Sequence, residues 1–120
     1  MYVGNVVVDG DNEEFVDKNV RVKIEKNSDG KLDIVLYAVK FASAMPIRLD
    51  VTIEGISIVS ESETSISFAG NNIVPYALGG PYEKFMVTNL SGSYTKESTL
   101  TFSLNFGKYP TSYSGFYLQK

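Results

Sequence analysis

Val20-Arg21-Val22-Lys23-Ile24-Glu25-Lys26-Asn27-Ser28-Asp29-Gly30-Lys31-Leu32-Asp33-Ile34-Val35-Leu36 decides how the rest of the chain is read. Aliphatic and charged side chains alternate on either side of a four-residue break. Each half then has one apolar and one wetted face, which is the period of a half-buried strand. Asp29-Gly30 supplies residues that tolerate the left-handed backbone of a tight hairpin turn. The spacing predicts two antiparallel strands, Phe15–Lys26 and Lys31–Phe41, with Val16, Val20, Val22 and Ile24 on one face of the first.

The same period extends outward in both directions. Met1–Val8 reads as a strand that ends at Asp9-Gly10-Asp11-Asn12. Ala42–Pro46 is a connection, and Ile47–Val59 a long strand whose apolar phase flips at Gly55, the mark of a β-bulge. Ser60–Glu63 turns into a short strand, Thr64–Phe68, stopped by Gly70-Asn71-Asn72. Residues 73–82 hold Pro75, Gly79, Gly80 and Pro81 and read as irregular. Lys84–Leu90 and Ser93–Lys96 read as strands broken near Gly92, and Thr99–Phe106 as a strand alternating at every step. Gly107–Thr111 reads as a loop before a closing strand, Ser112–Gln119. No helical period of useful length occurs.

Eight or nine short strands joined by hairpin-length turns specify an all-β, antiparallel up-and-down meander. Closure into a barrel is the economical end state, because it removes exposed strand edges; two sheets packed face to face are the alternative. The inward set is Val22, Ile24, Ile34, Leu36, Leu49, Val51, Phe68, Phe85, Leu100, Phe102 and Leu104. Side chains this large fill an eight-stranded barrel.

A chain of 120 residues reads as one domain, and 43% hydrophobic with 21% charged residues excludes a disordered chain. With no His and no Cys there is no imidazole base, thiolate nucleophile or disulfide. That argues against an enzyme and against any cofactor. The net charge of −3 argues against nucleic acid as a partner. Residues 1–17 carry Asp9, Asp11, Glu13, Glu14 and Asp17 with no base, and read as a solvated acidic hairpin tip. No apolar run is long enough for a transmembrane helix. Met1 leads straight into the first strand without a leader.

Three stretches carry a resemblance. The opening Tyr2-Val3-Gly4-Asn5-Val6-Val7-Val8, the hairpin Val20–Leu36, and the C-terminal third with Leu90-Ser91-Gly92, Leu100–Phe106 and Tyr113-Ser114-Gly115 resemble the calycin-like β-barrel domain of bacterial cell-envelope and secreted proteins, many of them lipoproteins. The resemblance implies a lipocalin-like barrel and export to the periplasm, cell surface or medium. It also implies a lipid tether on a Cys upstream of this chain. The Gly-x-Trp signature of true lipocalins is absent, as there is no Trp.

Candidate sites are few. Asp9, Asp11 and Glu13 have the oxygen density of a calcium site, but an EF-hand loop starting at Asp9 would need Gly at Glu14 and Glu at Val20. A solvated hairpin tip is the favoured reading, and calcium the weaker one. Asp50 and Glu54 share a strand face about 13 Å apart, too wide for a glycosidase pair. Arg48 and Asp50 read as a surface ion pair. Tyr76, Tyr82, Tyr109 and Tyr113 fall in or beside connections 73–82 and 107–113, where they either contact a partner or plug one barrel end. The expected function is a non-enzymatic binding module that meets a protein or glycan through these loops. A carrier of a small apolar ligand inside the barrel is the alternative.

Overall fold

The computed structural model describes residues 1–9, 14–40, 48–77, 79–107 and 109–118. Phe41–Ile47, the residues between Asp9 and Glu14, and Gln119 lie outside the described residues. Ten strands form: β1 (Tyr2–Asp9), β2 (Glu14–Lys26), β3 (Leu32–Val39), β4 (Leu49–Glu61), β5 (Ser65–Gly70), β6 (Tyr76–Ala77), β7 (Gly80–Pro81), β8 (Val87–Thr95), β9 (Thr99–Phe106) and β10 (Tyr109–Tyr117). A single 3-10 turn covers Glu83–Phe85. No helix among the described residues is long and apolar enough to cross a membrane.

Eight strands pair in chain order as an antiparallel meander, β1-β2-β3-β4-β5-β8-β9-β10, and β10 returns to β1 to close the barrel. β6 and β7 form a small hairpin attached outside β4 through Thr52 and Tyr76. The short turns 27–31, 62–64 and 96–98 lie at one end. The described parts of the longer connection between β5 and β8 lie at the other, with Lys40, Arg48 and Gly107.

The inward face is filled. Val6, Val22, Ile34, Leu36, Ile53 and Leu100 are fully buried. Phe102 stacks on Tyr113 at 5.2 Å and leans on Phe68 at 6.4 Å, so aromatic rings span the interior. Closure depends on the seam between β1 and β10. Gly4 faces Gly115 there, and a Cβ on Gly4 would lie 2.0 Å from the Ser114 carbonyl oxygen. A Cβ on Gly115 would strike the Tyr113 ring and hydroxyl, at 2.6 Å from Oη. The glycines leave room for that ring, and Tyr113 Oη donates to the Val20 carbonyl on β2 at 3.0 Å.

Four bulges carry a left-handed residue. Asn19 interrupts β2, Ala38 β3, Gly55 β4 and Asn89 β8, each where the pairing register slips by one. Gly55 was expected, and its N–H donates to Asp33 Oδ1 at 3.1 Å. The bulge at Lys18–Asn19 corrects the reading of β2: Val16 points outward and Asp17 turns inward opposite Val6. The bulge at Asn89 lets β8 run unbroken through Gly92, where two strands were expected. β10 begins at Tyr109 and not at Ser112, because Tyr109-Pro110 already pairs with Asn105-Phe106.

Phe102→Ala is expected to cost about 3–5 kcal/mol, since neither Phe68 nor Tyr113 can collapse into the void. Urea unfolding measures it. Burial pushes the hydroxyls of Tyr113, Tyr2 and Tyr94 above their ordinary range. In the unfolded chain they ionise near pH 10, to about the usual tyrosine value, so the folded state holds more protons. Stability is therefore lost as pH rises above about 10. Tyr113→Phe is expected to cost about 0.5–1.5 kcal/mol at neutral pH by removing the hydrogen bond to the Val20 carbonyl, and to make the alkaline loss shallower.

Candidate functional site

The expected tyrosines separate into three roles. Tyr113 is 2% exposed in mid-strand on β10, stacked on Phe102 and hydrogen-bonded to Val20, so it cannot meet a partner at the surface. The expected loop to residue 113 is in fact strand, and alternation drives Thr111 and Tyr113 inward. Tyr82 and Tyr109 are half-buried at the end that carries the long connections. Phe85 sits between them, stacked on Tyr82 at 4.9 Å and edge-on to Tyr109 at 6.1 Å. The plug is held from behind: Gly107 N–H donates to the Met86 carbonyl at 2.9 Å, and Ile73 exchanges two backbone bonds with Val87.

Tyr76 differs. It sits on β6, is 45% exposed, and stands beside an open groove of about 530 Å³. Arg48, Asp50, Thr52, Gly79 and Gly80 also line that groove. The small hairpin exists because β5 spans only Ser65–Gly70 against the longer β4. The chain leaves β5, bridges to β8 at Ile73 and to β4 at Tyr76, and so continues the wall.

Sequence reading missed the residue at the centre of this surface. Arg48 does not pair with Asp50. It crosses the upper end of β3 to Asp17 on β2, with Nη1 at 2.9 Å from both carboxylate oxygens and 2.9 Å from the Ala38 carbonyl. Asp17, read as part of an acidic tip, is 3% exposed and also accepts the Lys40 N–H at 3.0 Å. Asp50 Oδ1 instead accepts the Ala38 N–H at 2.8 Å. Arg48 and Asp50 thus hold both backbone groups of a residue whose φ is 50°. The three-residue steps from Asp17 to Val20 and from Leu36 to Val39 mark the two bulges only once the inward side chains are known.

A second groove, of about 310 Å³, lies on the other side of Arg48 and Ala38 and is bordered by Lys18, Asn19, Arg21 and Tyr37. The chain matches no family model, no curated protein and no solved structure. Of the calcium candidates, Asp9 is exposed at the end of β1, while Asp11 and Glu13 lie outside the described residues. Among the described residues, no group of three or more His, Cys, Asp or Glu side chains comes together to hold a metal. A third groove, of about 500 Å³, lies on the outer face near Asp9, Glu14 and Ser112.

Arg48→Ala is expected to cost about 1–3 kcal/mol by leaving Asp17 buried without its cation. The cost stays below that of a fully dry pair because the arginine is 50% exposed. Asp17→Asn combined with Arg48→Met is expected to recover most of the loss. A double-mutant cycle in urea measures both.

Proposed function

We infer that this barrel is a non-enzymatic binding module that meets a glycan or protein at the end carrying its long connections, with Tyr76 as the principal contact. The carrying observation is the half-exposed Tyr76 ring, held on a two-residue ladder beside an open groove that Arg48 and Asp50 also line. Antiparallel pairing of Tyr76 with both Thr52 and Pro81 orders its backbone before contact, so little conformational entropy is left to lose on binding. A tyrosine ring offers an apolar face and a polar rim, which suits a surface that must also stay wet.

Tyr82 and Tyr109 flank the buried Phe85 and act as a plug at the same end of the barrel. The interior-carrier reading draws less support, because aromatic rings span the inside and the grooves described above all lie on the outer surface. Membership of the calycin-like envelope family, export and an upstream lipid tether belong to the same proposal. They rest on the resemblance of the three stretches, and a closed eight-stranded meander is compatible with them.

Tyr76→Ser and Tyr109→Ser separate contact from plug. On a glycan array, Tyr76→Ser is expected to lose the binding seen for the unaltered chain while stability stays within about 0.5 kcal/mol. Tyr109→Ser is expected to cost about 1–3 kcal/mol. Array binding by Tyr76→Ser equal to that of the unaltered chain would contradict the assignment.

A further inference from the structure

We propose that the surface on either side of Arg48 binds a carboxylated saccharide, the carboxylate docking on the arginine and a sugar ring lying against Tyr76. This rests on the Tyr76 reading above and names its ligand class.

Arg48 is fixed through one nitrogen only. Nη1 serves Asp17 and the Ala38 carbonyl. Nη2 and Nε have no hydrogen-bond partner among the described residues, and half of the side chain is exposed. These two N–H groups form one edge of a planar fork whose spacing matches the two oxygens of a carboxylate. The buried Asp17 holds the fork still, so its rotamer entropy is already lost before a ligand arrives.

The backbone around it is strained in the same place. Asn19 and Ala38 both have positive φ, at 60° and 50°, on neighbouring strands, and both border the groove next to Arg48. Non-glycine residues in this region are strained and persist where the surroundings enforce them. Here Asp50 and Arg48 enforce Ala38, and the paired bulges open the wall beside the guanidinium.

Charge narrows the ligand. Lys18, Arg21 and Arg48 face Asp17 and Asp50, a local balance of +1 on a chain of −3. That suits a single carboxylate better than a dianionic phosphate. Asp50 Oδ2 has no hydrogen bond among the described residues and stands exposed in the groove with Tyr76. It accepts from sugar hydroxyls, whereas it repels a run of acidic side chains. This favours an acidic saccharide over an acidic peptide.

The test is calorimetric titration of the full chain with trigalacturonic acid, a hyaluronan tetrasaccharide and sialyllactose, each beside its methyl ester. At least one acid is expected to bind, with its ester weaker by about tenfold or more. Arg48→Lys keeps a cation over Asp17 but lacks the fork, and is expected to weaken that acid by about tenfold. Should Arg48→Lys fail to fold, the acid-to-ester ratio on the unaltered chain decides, together with Lys18→Gln/Arg21→Gln, which is expected to weaken the acid and flatten its salt dependence. Failure of all three acids, equal binding of acid and ester, or unchanged binding by folded Arg48→Lys overturns the proposal. Tighter binding of an oligoglutamate peptide also overturns it. Binding of a neutral glycan that needs Tyr76 but not Arg48 overturns the carboxylate claim and leaves the Tyr76 reading standing.

Discussion

The hydrogen bond from Tyr113 to the Val20 carbonyl holds the barrel's two ends of chain together. It links β10 to β2 across β1, between residues 93 positions apart, in a fully buried setting. Its net contribution is modest, but it ties β10 to the strand beyond its neighbour inside the core. The facing pair Gly4 and Gly115 exists to let it form, since either Cβ would occupy the space of the seam or the ring. Once the seam is shut, β1 and β10 are paired along their length, and the inward side chains have nowhere to go but against one another.

How much of this was legible in the sequence depends on how far alternation alone can carry. β9 and the part of the β2–β3 hairpin next to its turn were read correctly because Leu100–Phe106 alternates throughout and Val22–Ile34 alternates on either side of the turn. The bulge at Gly55 was legible because a glycine marked it. Those at Asn19, Ala38 and Asn89 were not, since none is glycine and only a three-residue step between inward side chains betrays them. That single slip moved Val16 to the outside and hid Asp17 inside. Tyr113 was misplaced for a related reason: Pro110 suggested a loop, but proline at an outward position of β10 is tolerated, and the strand starts before it.

The candidate site was half legible. Tyr76 is where a tyrosine-bearing connection was expected to present it. The Arg48 centre was invisible, because its partner Asp17 is 31 residues away and brought near only by the path of β2, β3 and β4 around the barrel. Composition gave no hint either, as an arginine beside an acidic residue in sequence reads as a surface pair. The bulges that obscured the strand phase are also the devices that build the surface. They aim the backbone of Ala38 at Arg48 and Asp50 and open the wall at the rim, leaving a filled interior and a structured exterior.

That division between a closed, filled interior and a grooved exterior rests on the seam. Residue-resolved amide hydrogen exchange tests it most directly. If β1 and β10 close the barrel, the amides that bond across their seam, at Asn5, Val7, Ser112 and Ser114, exchange only through global unfolding, as slowly as the protected amides of β2 and β3. If the seam amides exchange orders of magnitude faster while β2 and β3 remain protected, the sheet is open between its chain ends and the account fails.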